Sequence, residues 1–353
     1  MTASDIIRLR LINQQIGGTL FQKPAEVVTW LGAMQAQEYA MAKWAISLRS
    51  PKLKDAVIEQ AFNEGEILRT HLLRPTWHFV SPQDIRWLLA LTAPRVNAAN
   101  AHMYRKLELD TELFNRTNTI LVKALEGGNQ LTREKIRILF EEQKISASGT
   151  RLACILMRAE LEGIICSGAR QGKQFTYALL EERVAPAPSL HREEALAELS
   201  TRYFTSRGPA TAEDFAWWSG LTAKDAKAGV EMLDSNFLNL KIENKSYYYK
   251  PPLEVFKPQS TFLMPDYDEY VIGYKDRSSV FEENSERGRG AMIFNHTLIV
   301  EGKSAGTWKK TSKGKAVEVE IFPFAPLNKT GIGAVNKAIK QFYEFCGNNQ
   351  SAQ

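Results

Sequence analysis

The chain has 353 residues, 44% of them hydrophobic, and carries a formal net charge of +5 at pH 7. This length and apolar content are sufficient for two or three domains with buried cores, so a disordered tail and a fibrous protein are both excluded. The mild positive charge suits a nucleic acid or an acidic ligand as the partner. The charge is locally concentrated, because residues 301–315 hold five lysines against one glutamate.

The cysteines and histidines argue against a disulfide scaffold and against a zinc site. Three cysteines leave an odd number, which favours a reducing compartment. The five histidines form no zinc-binding spacing and no nucleotide-binding glycine motif is present, so we expect neither a metal nor a cofactor. We find no apolar run of membrane-spanning length and no signal peptide. We therefore expect a soluble, cytoplasmic protein with no membrane partner.

The first 109 residues predict helices followed by a hairpin and a connecting helix. The expected helices are residues 25–31, 41–48 and 55–63, the strands are 67–74 and 76–80, and the connector is 82–109. We interpret residues 1–109 as a winged helix, which is a helix-turn-helix followed by a β-hairpin called the wing, with a helical connector after it.

Residues 110–185 show the same pattern most clearly. Thr132 precedes an apolar helical stripe and is a typical N-terminal cap, and Gly163 ends a second helix. Two short strand-like runs follow, around a turn that contains Arg170 and Lys173. The segment predicts a second winged helix whose wing can reach a phosphate backbone.

Residues 190–252 repeat the pattern a third time, with helices at 213–218 and 223–233 and a hairpin at 238–250. Residues 253–353 then change to short strand-like runs and a closing helix. The strands are expected at 262–264, 270–274, 291–294, 297–300 and 317–322, and the helix at 328–346. The sequence therefore predicts an α+β fold with three tandem winged-helix domains and a small antiparallel, barrel-like β domain at the C-terminus.

Gln35 and Gln37 form the most informative short motif, because they lie one residue apart between two apolar helical segments. Side chains at positions i and i+2 share a face in an extended segment but lie far apart around a helix. We expect both amides near a helix start or a turn, and if the motif is non-helical, both carboxamides can grip one water molecule or one ligand atom. The alternative is a pair of solvated glutamines at a helix end.

Two other groups of polar residues are candidates for a site. Thr76 and His78 share one face of a predicted strand and could line the site, although a satisfied core histidine is the alternative. Asp266, Asp268 and Glu269 could in principle bind a metal. No ligand spacing accompanies these carboxylates, and a capped turn explains them adequately.

Five sequence runs together carry a family resemblance. They are the glutamine motif, RPTWHFVSPQD, TAEDFAWWSGL, LMPDYDEYVIGYKDR and LIVEGKSAGTWKK. Over nearly the whole chain they resemble the AlkZ/YcaQ-like winged-helix DNA glycosylases of bacteria. The resemblance implies tandem winged helices and a C-terminal β-rich domain around a C-shaped channel. Gln35 and Gln37 match the Gln-apolar-Gln motif of the AlkZ branch, whereas the YcaQ branch has Gln-apolar-Asp.

The resemblance implies a monofunctional DNA glycosylase that hydrolyses the N-glycosidic bond of cationic alkylated purines, such as N7-alkylguanine and N3-alkyladenine. Unhooking of N7-linked interstrand crosslinks is a further expectation. Gln35 and Gln37 would position the attacking water. The expected partner is double-stranded DNA, bound by a monomer. Contacts to its phosphates are expected from Arg170, Lys173, Lys303, Lys309 and Lys310.

A non-catalytic winged-helix transcriptional regulator is the main alternative, because winged helices also occur in proteins without catalytic activity. Three unequal copies and a C-terminal β domain in one chain disfavour a simple dimeric repressor. A protein-interaction scaffold is a third hypothesis, and it would show no salt-dependent affinity for DNA. Release of a free base from alkylated DNA distinguishes the enzyme from both.

Overall fold

The computed structural model of the chain describes residues 2–187, 189–242, 244–252, 256–281, 296–313 and 316–347. The chain divides into two compact units. The first comprises Met1–Glu59, Leu199–Trp218 and Thr222–Gln353, and the second comprises Gln60–Glu198 and Ser219–Leu221. Helices and antiparallel strands are both present, which confirms the predicted α+β class. No helix in the described ranges is long and apolar enough to cross a membrane.

The N-terminal half of the chain is mainly helical. Its elements are α1 (Ala3–Asn13), α2 (Pro24–Leu31), β1 (Met34–Gln35), α3 (Tyr39–Arg49), α4 (Asp55–Glu64), β2 (Leu68–Leu72), β3 (Thr76–Val80), α5 (Ile85–Lys106), α6 (Thr111–Leu125), β4 (Leu131–Thr132), α7 (Arg133–Glu142), α8 (Gly149–Leu161), β5 (Ile165–Ser167), β6 (Thr176–Leu179) and α9 (Leu180–Arg183).

The C-terminal half contains most of the strand residues. Its elements are α10 (Arg192–Arg207), α11 (Ala212–Ser219), α12 (Ala223–Glu231), β7 (Leu238–Ile242), β8 (Lys245–Tyr249), β9 (Phe262–Met264), α13 (Glu269–Ile272), β10 (Thr297–Val300), β11 (Lys303–Lys313), β12 (Ala316–Pro323) and α14 (Lys329–Phe345).

The second unit is built on helices that share one apolar core. The Thr132 hydroxyl accepts a hydrogen bond from the backbone N–H of Lys135 at 3.3 Å, so the predicted cap of α7 is confirmed. Helices α6, α7 and α8 each bury an apolar stripe, and their side chains meet around Phe140 and Ile155. Strands β4, β6 and β5 form an antiparallel sheet in that order, while β2 and β3 form a separate hairpin pairing.

The first unit contains an antiparallel sheet with the strand order β12-β11-β10-β9. The barrel-like prediction was wrong, because β12 and β9 are open edges in the part of the chain that the structure describes. Four strands are too few to close around a core of their own. Helix α14 supplies the missing apolar partner, since Phe342 packs edge-on against Trp308 of β11 and Trp44 of α3, with ring centres 5.0 and 5.1 Å apart.

Most of the predicted C-terminal elements are confirmed, but one is not. Residues 270–274 were predicted as a strand, whereas Glu269–Ile272 form the short helix α13. The Asp268 side chain accepts from the backbone N–H of Tyr270 at 2.8 Å, and this cap starts a helical turn in spite of the strand-like apolar residues. The predicted strand at 291–294 lies outside the described residues.

Hairpins follow helix pairs in the predicted order. The β5–β6 hairpin comes after α7 and α8, and the β7–β8 hairpin comes after α11 and α12. The division into three winged-helix domains, with the boundaries given above, remains a prediction.

Candidate active site

The glutamine motif lies on a non-helical stretch between α2 and α3. Gly32 ends α2 with a φ of +72°, a left-handed conformation that glycine adopts without strain. Gln35 is in strand β1, and Gln37 follows in a bend before α3 begins. The motif is therefore non-helical. Gln35 is buried, with 8% of its surface exposed, whereas Gln37 is half-buried.

A buried carboxylate holds the backbone of this motif. The backbone N–H of Gln35 donates to Oε1 of Glu269 at 2.9 Å. The other carboxylate oxygen, Oε2, accepts from Nη2 and Nε of Arg207 at 2.7 and 3.1 Å and from the indole Nε1 of Trp218 at 2.9 Å. Both oxygens of Glu269 therefore have strong partners, which a buried carboxylate requires.

Arg207 also binds the chain immediately before the motif. Its Nη1 donates to the carbonyl oxygen of Leu31 at 2.8 Å, and its Nη2 donates to the carbonyl oxygen of Ala33 at 2.9 Å. The Leu31 carbonyl lies at the end of α2, where a helix cannot supply a partner from its own next turn. One arginine therefore joins the end of α2, the residues before the motif and the Glu269 carboxylate.

The Arg207–Glu269 pair is almost completely desolvated, with side chains 0% and 1% exposed. Removing two charges from water is unfavourable, and their attraction compensates only when further hydrogen bonds satisfy the remaining donors and lone pairs. The contacts to Leu31, Ala33 and Gln35 provide those bonds. The pair is thus suited to holding the motif in place, since neither charge is exposed to a substrate.

A second buried ion pair holds the neighbouring carboxylate. Arg49 donates to Asp268 through Nη1 at 2.9 Å and Nη2 at 2.8 Å, and its Nη2 also donates to Oε1 of Gln14 at 2.7 Å. Burial lowers the pKa of Arg49, but the Asp268 carboxylate outweighs that effect and raises it. Because Asp268 and Glu269 are both engaged by arginines, neither is available as a metal ligand. Within the described ranges, no cluster of three potential ligands could hold a metal.

Asp266 has a different environment from the two carboxylates that follow it. Burial, together with the nearby Glu38 carboxylate, raises the pKa of Asp266 to about 6, and Lys310 acts in the opposite direction. Nε2 of His296 lies 3.4 Å from Oδ2 of Asp266. A carboxyl group in this state changes its charge near neutral pH and can exchange protons there.

Thr76 and His78 lie at alternate positions of β3, in the second unit. His78 is fully buried, and its ring Nδ1 is 2.9 Å from the carbonyl oxygen of Thr76. This geometry makes Nδ1 a donor to the strand's own backbone. His78 is therefore suited to a packing role in the protein interior. A place for Thr76 and His78 in the active site remains a prediction.

The five basic residues expected to contact DNA differ in exposure. Lys173, Lys303 and Lys309 are exposed, whereas Arg170 and Lys310 are half-buried. The Arg170 guanidinium stacks on the ring of Phe175 at 4.1 Å and donates to the carbonyl oxygen of Lys173 at 2.6 Å. Arg170 therefore shapes the turn between β5 and β6, and its contact with phosphate remains a prediction.

A model of the family described as DNA glycosylase AlkZ-like matches residues 28–345. The chain belongs to the AlkZ-like DNA glycosylase family. It is 22% identical to the interstrand DNA cross-link repair glycosylase of Streptomyces sahachiroi over 339 residues, which cover 89% of this chain and 88% of that protein. The solved structure of Streptomyces sahachiroi DNA glycosylase AlkZ matches with a TM-score of 0.78 and 17% identity, over 99% of this chain and 98% of that one. At this identity, the structural match is evidence for the fold.

Sequence reasoning missed the residues that hold the motif of this AlkZ-like DNA glycosylase. Arg207 and Trp218 were not identified as site residues, and Glu269 was considered only as part of a capped turn or a metal site. The local signal was weak, because a glutamate before an apolar run is ordinary at a helix start. The partners lie far apart in sequence, with Gln35 and Glu269 separated by 234 positions.

We expect the Glu269→Gln substitution to lower the free energy of unfolding by about 3–5 kcal/mol, because it leaves the Arg207 charge buried without its counter-charge. Base release should slow by at least about tenfold at a temperature where the variant is folded, since the Gln35 amide loses its anionic anchor. Urea unfolding at pH 7 measures the first effect, and single-turnover base release measures the second.

The double variant Glu269→Gln, Arg207→Met tests whether the two buried charges are energetically coupled. Removing both charges should cost less than the sum of the two single substitutions. Glu231→Gln, at an exposed site at the end of α12, is the matched control and should change the unfolding free energy by less than about 0.5 kcal/mol. Strictly additive single effects would show that the pair is not coupled.

Proposed function

We propose that this chain is a monofunctional DNA glycosylase that hydrolyses the N-glycosidic bond of cationic alkylated purines, with Gln35 and Gln37 positioning the water. The observation that carries the proposal is the motif itself. Its backbone is anchored by Glu269 at Gln35. The Gln37 carboxamide is half-buried and makes no hydrogen bond to any other part of the described chain. Its amide is therefore free to bind a water or a substrate atom.

The chemistry of the leaving group explains how amides can serve as the catalytic groups. A purine alkylated at N7 or N3 carries a positive charge, so it takes the electron pair of the C1′–N bond and departs as a neutral molecule. Little acid is needed to help it leave. The enzyme must then hold a water against an oxocarbenium-like sugar and stabilise that positive charge with oriented dipoles. Carboxamide oxygens can accept from the water and point toward the cation.

Interstrand crosslinks joined through N7 carry the same cationic leaving group. The curated relative is named an interstrand DNA cross-link repair glycosylase. We infer that this chain also unhooks N7-linked crosslinks, by breaking one glycosidic bond of the linked pair. The substrate is double-stranded DNA. A monomer is sufficient, because all the residues assigned to the motif and its anchor belong to one chain.

The proposal is tested by substrate choice. Duplexes with N7-methylguanine or N3-methyladenine should lose the free base, whereas uracil and 8-oxoguanine should be retained, because neutral bases need protonation or a stronger base in order to depart. The measurement is free base by chromatography and alkali-labile abasic sites on a gel. Equal release of uracil and N7-methylguanine would contradict the mechanism, while tight binding with no release would favour a DNA-binding regulator.

Substitutions in the motif test the roles of the two glutamines. Gln35→Ala and Gln37→Ala should each slow base release by roughly a hundredfold or more. The double variant should lose less than the sum of the two effects, because both amides act on one water. Gln37→Asp should keep measurable activity, since a carboxylate can also hold a water. Single-turnover rates are the measurement.

DNA affinity and folding are the internal controls for these variants. Binding should stay within a few-fold of the unsubstituted protein, because neither amide is proposed to contact phosphate. Gln143→Ala removes an exposed amide at the end of α7 and should leave the rate unchanged. Unchanged rates in both motif variants would exclude Gln35 and Gln37 from catalysis.

The basic residues predict how binding depends on salt. Five phosphate contacts correspond to a log-log salt slope of about −4.5. Lys303→Gln and Lys309→Gln should each weaken binding to unrelated duplexes and make the slope shallower by about 0.9. Lys123→Gln, at an exposed position of α6, is the charge-matched control. A slope that does not change in the Lys303 and Lys309 variants would remove these residues from the DNA contact surface.

A further inference from the structure

Asp266 lies in the same chain segment that anchors the glutamine motif. It is three residues before Glu269, whose carboxylate accepts from the backbone N–H of Gln35. Its charge also interacts with that of Glu38, the residue directly after Gln37. The Asp266 carboxyl therefore lies near the motif, and neither the Arg207–Glu269 anchor nor the two glutamine amides make use of it.

The two oxygens of Asp266 have unequal surroundings. Oδ1 is shut off from solvent and has no hydrogen-bond partner within the described residues. Oδ2 lies 3.4 Å from Nε2 of His296, and the side chain as a whole keeps 17% of its surface exposed. Two buried ion pairs account for Asp268 and Glu269. Asp266 is thus the carboxyl of this segment that retains unused hydrogen-bonding capacity and access to water.

The His296 ring is held in place beside this carboxyl. It stacks on Trp308 with ring centres 4.4 Å apart. Trp308 is itself held, because its backbone N–H donates to the carbonyl of His296 at 3.0 Å and its indole Nε1 donates to the carbonyl of Met264 at 2.9 Å. Burial and Lys310 lower the pKa of His296 to about 4, so the ring is neutral when Asp266 titrates.

We propose that Asp266 is the proton acceptor for the water that Gln35 and Gln37 position, and hence a catalytic residue of this reaction. The inference rests on the proposed glycosylase function. Amides can orient a water but are too weakly basic to take its proton. A carboxylate that touches the same water supplies the missing step, and the raised pKa of Asp266 makes it a better base than an ordinary surface aspartate.

The hydrolysis breaks one bond to C1′ and forms another. The C1′–N bond breaks and its electron pair leaves with the cationic base, which becomes neutral. The water oxygen forms the new bond to C1′, and one of its protons passes to the Asp266 carboxylate. The sugar is left with a hydroxyl at C1′, and Asp266 then releases its proton to solvent.

This role sets the direction of the pH dependence. Asp266 acts as a base only when ionised, so the rate should fall about tenfold per pH unit below its pKa and level off above it. Among the described residues, the charged and titratable groups that face Asp266 are Glu38 before α3, Lys310 on β11, His296 before β10 and the adjacent Tyr267. His296 and Tyr267 do not account for a fall in rate near pH 6, because the pKa of His296 is lowered to about 4 and burial raises the pKa of Tyr267.

The test compares Asp266→Asn and Asp266→Glu in single-turnover release of N7-methylguanine from duplex DNA, between about pH 5 and pH 8, with spontaneous release subtracted. Asp266→Asn should slow release roughly a hundredfold at neutral pH. It should also abolish the acidic limb, which is the fall in rate below about pH 6. Asp266→Glu should retain the limb with a reduced plateau. Asp234→Asn, at an exposed turn, is the matched control and should keep both rate and profile.

Thermal melting separates this role from a structural one. Because folding raises the pKa of Asp266, the folded protein binds that proton more tightly than the unfolded chain, and stability is lost as pH rises toward 6. Asp266→Asn should therefore melt at an equal or higher temperature at pH 7 while losing activity. A melting temperature that falls together with activity would overturn the catalytic assignment in favour of a structural one.

The remaining outcomes distinguish the two hypotheses. If the unsubstituted protein releases the base and Asp266→Asn does so at the same rate with the same acidic limb, Asp266 is not the base, although the glycosylase function stands. If His296→Gln, and not Asp266→Asn, removes the limb, the proton acceptor is His296. If the unsubstituted protein releases no base at all, the proposed function and this inference both fail.

Discussion

The buried pair between Arg207 and Glu269 is the constraint on which the site depends. One carboxylate oxygen accepts the backbone N–H of Gln35, and the other accepts the guanidinium and the indole of Trp218. Ionised groups form hydrogen bonds that are shorter and stronger than those between neutral groups. Seven residues separate the end of α2 from the start of α3, and their one regular element is the two-residue strand β1. The pair thereby holds the backbone of this short stretch at a defined position.

A buried ion pair is a weak source of stability, since an apolar pair of similar volume often folds as well or better. Its value here lies in placement. An apolar residue at position 269 could fill the same space but could not accept from the Gln35 amide, and an apolar residue at position 207 could not bind the carbonyls of Leu31 and Ala33. The structure retains the charges because the chain before and within the motif uses them as hydrogen-bond partners.

The sequence predicted what local physics determines. Helical stripes, the Thr132 cap and the β10 and β12 strands follow from side-chain period and capping chemistry, and the non-helical glutamine motif follows from its place between two helices. Strand propensity failed at residues 270–274, because a capping Asp268 held by Arg49 imposes a helical turn there. The cap itself is local and agrees with the capped turn considered for this segment, whereas its partner Arg49 lies 219 positions away and could not be predicted from a local pattern.

The same limit applies to the candidate site. The two glutamines are visible as a pair in the sequence, whereas their anchor joins residues 35, 207, 218 and 269, which come close only after folding. The carboxylates of the 266–269 segment look alike in sequence. Folding makes them different, because Asp268 and Glu269 each gain an arginine and Asp266 does not, at least among the described contacts.

That difference has a chemical consequence. A carboxylate paired with a buried arginine is held ionised and its lone pairs are occupied, so it can position a backbone but cannot take a proton. A half-buried carboxyl beside another acid binds a proton more tightly than an ordinary carboxyl does, as the raised pKa of Asp266 indicates. The neutral amides of the glutamine motif add dipoles and no charge. Under the proposed function, such a site stabilises a cationic sugar and receives the proton of a water. It offers no strong acid to a neutral leaving group, and this would restrict the reaction to bases that already carry a positive charge.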